Sequence, residues 1–180
     1  MRKVLQHDSR MEGQMSKVAL TRGMVLGLIG GLVGTIVMDI VCVGALLVMG
    51  LPAVVSFSTI GDTAAGFFSM IGLNMAGGVP LGTAMHYLIG PVLGIIFGAA
   101  VSQVDVFRVD TTKKGVVFGI LYTQVSSQPI LAAAPILLKM TASETLQWFG
   151  VSFVMHLIWG VVLGVVVSYG LGLATAAKQG

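Results

Sequence analysis

The sequence predicts an all-α integral membrane protein: four transmembrane helices arranged as two parallel-repeat hairpins, with a short interfacial or re-entrant helix at the outer face. Three observations predict it. Only 9% of the 180 residues are Asp, Glu, Lys or Arg while 56% are hydrophobic, whereas a water-exposed domain carries about 25% charged residues. Four stretches are long and apolar enough to cross a hydrocarbon core of about 30 Å, which takes roughly 20 helical residues. Strings in the second half of the chain echo strings in the first. The same composition excludes a soluble globule and a disordered chain. The 25 glycines have no triplet period, so collagen is excluded, and with Cys42 as the single cysteine there is no disulfide scaffold.

Residues 1–22 form a basic, amphipathic segment. Arg2, Lys3, Arg10, Lys17 and Arg22 are interleaved with Val4, Met11, Met15 and Val18 at helical spacing, the pattern of an interfacial helix or of a cytoplasmic tail. The transmembrane domain, 23–177, follows. Its first span, 23–50, carries one charge, Asp39, and its apolar run continues past the length of a signal-peptide core, which predicts a retained span. The outer connection, 51–77, is apolar apart from Asp62, and loops of that length are uncommon without structure of their own. Ser58 or Thr59 is expected to cap a helix carrying Phe67, Phe68, Met70 and Ile71, lying on the membrane or dipping into it. The second span is 78–104 and the third 115–138. A kink is expected at Pro129, the freed carbonyl being satisfied by the hydroxyls nearby, while Gln124, Ser126, Ser127 and Gln128 cross-link helices. The fourth span is 145–172. Trp148 and Tyr169, 21 residues or about 31 Å apart on a helix, mark its two interfaces. A tail, 178–180, closes the chain.

Nine of the ten Lys and Arg fall in the N-terminal segment, the 105–114 loop and the tail; Lys139 alone lies on the other side. That asymmetry predicts a multi-pass protein of the inner or plasma membrane with both termini cytoplasmic. It also accounts for the pI of about 9.3, and no basic groove interleaved with aromatics points to a nucleic-acid partner.

Met85-His-Tyr-Leu-Ile-Gly-Pro-Val-Leu-Gly94 and Met155-His-Leu-Ile-Trp-Gly-Val-Val-Leu-Gly164 share Met, His, Gly, Val, Leu and Gly at an offset of 70 residues. Gly23, Gly27, Gly31 and Thr35 of the first span match Gly115, Gly119, Thr123 and Ser127 of the third at an offset of 92. Two hairpins in the same orientation, related by an axis along the membrane normal, follow from that pairing. Residues four apart lie on one helix face, so these positions, with Gly90, Gly94, Gly98, Gly160 and Gly164, form strips on which helix backbones approach closely.

Asp39, His86 and His156 are the ionisable groups within the spans, and such residues carry a functional hypothesis with a partner to be named. His156 lies eight residues, about 12 Å, below Trp148; the repeat puts His86 level with it, and Asp39, 17 residues from Arg22, falls in the same outer half. Four readings stand. In a polar clasp, Asp39 accepts from one imidazole while the other bonds a hydroxyl or carbonyl. In a bis-histidine haem b site, His86 and His156 are axial ligands and Gly90 and Gly160 admit the macrocycle. In a metal site, Asp39, His86 and His156 converge. In a transporter or channel, the three line the pathway. The 11 methionines have no copper-binding cluster and read as packing residues, as does Cys42. No phosphate-binding loop, dinucleotide fingerprint or paired nucleophile is present.

Gly27-Leu-Ile-Gly-Gly-Leu-Val-Gly-Thr-Ile-Val-Met-Asp39, the Gly50-Leu-Pro52 after it and the two Met-His-x-x-x-Gly strings resemble small YagU-like inner-membrane proteins. The resemblance implies a four-span bundle without an established activity and carries over no catalytic residue. The expected function is that of a non-catalytic component of a membrane complex, in contact with lipid and with other membrane subunits or further copies of itself.

Overall fold

In lipid each backbone N–H must find its acceptor inside its own helix, and the chain meets that demand with helix throughout. The computed structural model describes the backbone of residues 2–109 and 111–176, and the side chains of 17–104, 106–109 and 111–172. Its helices are α1 (Arg2–Val48), α2 (Val55–Met70), α3 (Gly78–Gln103), α4 (Thr112–Leu137) and α5 (Ala142–Ala176), with one 3-10 turn, Asp105–Phe107, and no strand among the described residues. Among the described residues, four segments are long and apolar enough to cross a membrane: Lys17–Val48, Gly78–Gln103, Thr112–Leu137 and Ala142–Gly172.

Local chemistry sets the helix ends. Thr111 caps α4 by accepting from the Lys114 N–H. Thr141 and Glu144 form a reciprocal capping box at the start of α5, the Thr141 N–H reaching Glu144 Oε2 at 2.8 Å and the Glu144 N–H reaching Thr141 Oγ1 at 3.3 Å. Asp62, the one charge of the long connection, accepts from the Gly78 N–H at 2.7 Å and so satisfies an orphan donor of α3. Ser58 and Thr59 do not cap α2 as expected. The helix begins at Val55, and both hydroxyls bond back to the Val55 carbonyl from inside its first turn. The N-terminal segment is continuous with the first span, α1 running from Arg2 to Val48. Val4, Met11, Met15 and the tail 178–180 lie outside the described side chains.

α1 is the central helix because it carries glycine on two faces. On one, β-carbons at Gly27 and Gly31 would strike the carbonyls of Gly94 and Gly90 in α3, and Gly98 meets Gly23 in the same way. On the other, Gly30 and Gly34 receive Leu163 and Trp159 of α5, and the Trp159 indole donates to the Gly31 carbonyl at 3.0 Å. α4 and α5 form a second close hairpin through Gly115 and Gly119 against Gly164 and Gly160. The buried core, with Met38, Phe97, Leu163 and Val167, sits where these faces meet.

α3 and α4, by contrast, barely touch: Tyr122 sets its ring, tilted, 5.2 Å from that of Phe97 and donates to the Leu93 carbonyl at 2.8 Å. α2 closes over the space between them. It packs along α3 through Gly61 and Gly82, reaches α4 through Gly66 against Leu137, and sets the Phe57 ring edge-on to His86, centroids 5.8 Å apart.

α4 stays helical through Pro129 and Pro135. Each proline removes the donor for the carbonyl four residues earlier, and Trp148 replaces one of them: its indole donates to the Leu131 carbonyl that Pro135 leaves free, at 3.0 Å. The serine hydroxyls expected to do such work do not, for Ser126 and Ser127 have no hydrogen-bond partner. Trp148 is therefore turned inward, while Tyr169 is 63% exposed as an interfacial residue is. Trp148→Phe is expected to cost about 1 kcal/mol, the net value of such a bond, but much less in a Pro135→Ala background, where the helix satisfies Leu131 itself. A double-mutant cycle on thermal unfolding in detergent checks this, and equal costs in both backgrounds would refute it.

Candidate functional site

The site is built where α1, α3, α4 and α5 leave space beneath α2. Asp39 projects from α1 one turn beyond Thr35, and its Oδ1 lies 2.9 Å from His86 Nε2 on α3. The glycine contact sets this meeting, since closing α1 onto α3 at Gly31 and Gly90 brings the residues one and two turns further along into reach. His156 on α5 is held differently: its Nδ1 lies 2.7 Å from the Ser152 carbonyl and must donate to it, so the neutral ring keeps its lone pair on Nε2. The backbone carbonyl of His156 accepts from Thr123 of α4 at 3.0 Å.

Both imidazoles line the same two small cavities. One, of about 90 Å³, is bounded by Thr35, Leu93, Ser127 and Trp159; the other, of about 110 Å³, by Asp39, Cys42, Phe57 and Ser152. A third cavity of about 360 Å³ adjoins them under α2 and is lined almost wholly by apolar groups, among them Phe67, Phe68, Met85 and Ala133. Ile60 of α2 borders all three. Two buried polar atoms in this region have no partner, Asp39 Oδ2 and Ser127 Oγ.

The structure thus joins Asp39 to His86 and places His156 in the same space, with one imidazole on a carboxyl and the other on a carbonyl, as the polar clasp requires. It does not form the expected metal site. Among the described residues no three His, Cys, Asp or Glu side chains come together to hold a metal ion. For haem the space is too small, since the cavities of about 90 and 110 Å³ beside the two imidazoles fall below the roughly 300–1,000 Å³ of small-molecule pockets. These residues do not fit haem b.

Residues 21–177 match a family of unknown function, DUF6789, and the match takes in every span and every residue of the site. The chain belongs to the DUF6789 family. No curated protein and no solved structure matches it. DUF6789 membership assigns no activity, and it neither extends nor replaces the resemblance to YagU-like proteins.

Sequence reasoning missed several parts of this DUF6789 site. Gly61 and Gly82, which seat α2, were signalled by the four-residue spacing of Gly78 and Gly82. Gly30 and Gly34 carried the same signal for the contact with Trp159. The indole bond of Trp148 was signalled by Pro135, which frees a known carbonyl. Nothing in the sequence marked Ile60 as the residue common to three cavities.

Proposed function

We propose that this protein is a non-catalytic, multi-pass membrane component that serves as an accessory or structural subunit of a membrane assembly, in the inner or plasma membrane with both termini cytoplasmic. The observation that carries the reading is the use of the polar side chains between spans. Tyr122, Thr123, Gln124, Trp148 and Trp159 each donate to a backbone carbonyl of another helix. Bonds of that kind fix helices relative to one another. The partners in this reading are lipid and other membrane subunits or further copies of the chain, with no nucleic acid.

The contacts also support two repeated hairpins. Gly27 with Gly94, Gly31 with Gly90 and Thr35 with Gly90 are matched by Gly115 with Gly164, Gly119 with Gly160 and Thr123 with Gly160. On that register the even spans keep their offset of 70, and the odd spans are related by 88 residues, one helical turn from the offset of 92 that the sequence alone suggests. Ser127 then stands where the first hairpin has Asp39.

A second reading, a small transporter or channel, is favoured by the cavities that border Asp39, His86 and His156. Native membranes solubilised gently after cross-linking distinguish the two. The accessory reading expects a stoichiometric complex containing one defined membrane partner, and silent proteoliposomes of the purified chain. Solute flux by the chain alone, abolished by Asp39→Asn, would replace it with the transporter.

A further inference from the structure

The cavity of about 360 Å³ lies within the size range of small-molecule pockets. Its apolar lining would be satisfied by lipid chains anywhere in a membrane; the end near His86 and His156 would not. There the 90 Å³ cavity shares Ile60, Ile89 and Ile130 with the larger one and ends on Ser127 and His156. Ser127 is 3% exposed and its hydroxyl has no partner. A buried polar atom left unsatisfied costs about 1–3 kcal/mol, so a hydrogen bond from a bound molecule to this hydroxyl would be favourable. His156 Nε2, its other nitrogen committed to Ser152, is an acceptor, and the unpartnered Asp39 Oδ2 next door is another.

We infer that these joined cavities bind a lipophilic molecule whose head group is a neutral hydroxyl, its chain in the large cavity and its oxygen between Ser127 and His156. An O–H donates to the imidazole nitrogen and accepts from the serine hydroxyl, which fills both vacant roles. An ether offers no donor for His156. A carboxylate would bring further acceptor oxygens toward Asp39. Access is sideways from the bilayer: α3 and α4 barely touch, and Phe67 and Ile130 on the lining of the large cavity are 56% and 45% exposed.

The two tryptophans of the chain report on the site, since Trp159 borders the 90 Å³ cavity and Trp148 the other two. The probes are a terminally brominated undecanol and its methyl ether, added to the detergent-solubilised full chain, with bromine quenching indole fluorescence on contact. The alcohol is expected to quench saturably and to bind about ten-fold more tightly than the ether, the fold-change that loss of one hydrogen bond of about 1.4 kcal/mol produces. Ser127→Ala should weaken alcohol and ether by a similar factor, because the oxygen of either accepts from the serine hydroxyl. Ile60→Trp, at the junction of the cavities, should displace both, read as loss of protection against thermal unfolding because it adds a third indole. Quenching that rises without saturation, equal binding of alcohol and ether to the unaltered chain, or an alcohol affinity indifferent to Ser127→Ala would each overturn the inference.

Discussion

Gly94→Ala is expected to cost about 3 kcal/mol of bundle stability, and Gly94→Leu to abolish the folded monomer. A β-carbon at Gly94 would strike the carbonyl oxygen of Gly27 and come within 2.9 Å of the Gly31 Cα. Overpacking costs typically 1–3 kcal/mol when side chains can shift. Here every atom struck is backbone of a helix that is itself wedged against α5, so the upper end of that range applies. The loss is compounded by what the contact does in lipid, where helices associate through close packing with no gain from apolar burial. Gly44→Ala and Gly150→Ala are the controls, because a β-carbon there meets nothing within 4 Å. Both should be neutral or slightly stabilising, as glycine-to-alanine changes at compatible helical positions are. Detergent-driven unfolding in mixed micelles, followed by indole fluorescence, measures all four. If Gly94→Ala unfolds with Gly44→Ala, the glycine strip does not hold α1 to α3.

That contact shows what a sequence of this kind makes legible. Span positions follow from composition and backbone physics, because a stretch such as 78–104 has no other way to satisfy its amides in lipid. The strip of Gly23, Gly27 and Gly31 follows from a four-residue spacing, and the level placement of Asp39 and His86 from counting helical rise inward from the basic and aromatic ends. Pairing is harder. Gly27-x-x-x-Gly31-x-x-x-Thr35 and Gly115-x-x-x-Gly119-x-x-x-Thr123 match as well one turn away as at the offset of 92, and a four-residue glycine period cannot tell adjacent turns apart. Only the contacts with Gly90 and Gly160 fix the register.

The remaining gaps have the same origin. α2 was recognisable as a helix, but its depth depends on Gly61 meeting Gly82, a contact between distant residues that no local pattern encodes. The cavities depend on an inequality: α1 packs closely on α5 while α3 and α4 barely touch. Both pairs have apolar sequences, and the difference lies in Gly30 and Gly34, which admit Leu163 and Trp159, against a meeting of two large rings, Tyr122 and Phe97. The haem and metal readings turn on what composition cannot supply, the size of the space beside the two imidazoles and whether three ligating groups converge.

The pair of Asp39 and His86 carries the other large expected effect. Taken as an ordinary intramembrane hydrogen bond, it would be worth about 1 kcal/mol, and removing either partner would cost about that. Its setting argues for more. The two side chains are only 15% and 17% exposed, and breaking a buried pair by deleting one member costs about 3–5 kcal/mol because the other is left uncompensated. The two deletions should differ. His86→Leu leaves the carboxyl with the Tyr87 hydroxyl as its remaining polar neighbour, and a cost of about 3–4 kcal/mol is expected. Asp39→Leu strands an imidazole that keeps its edge contacts with Phe57 and Tyr87, and about 2–3 kcal/mol is expected. Replacing both with leucine removes every orphan and should return stability to within about 1 kcal/mol of the unaltered chain, a coupling at or above the upper end of what neighbouring residues show. Mixed-micelle unfolding of the four proteins closes the cycle. Additive losses would mean that the carboxyl and the imidazole each find other partners in the bundle, and the clasp between α1 and α3 would then be a coincidence of packing.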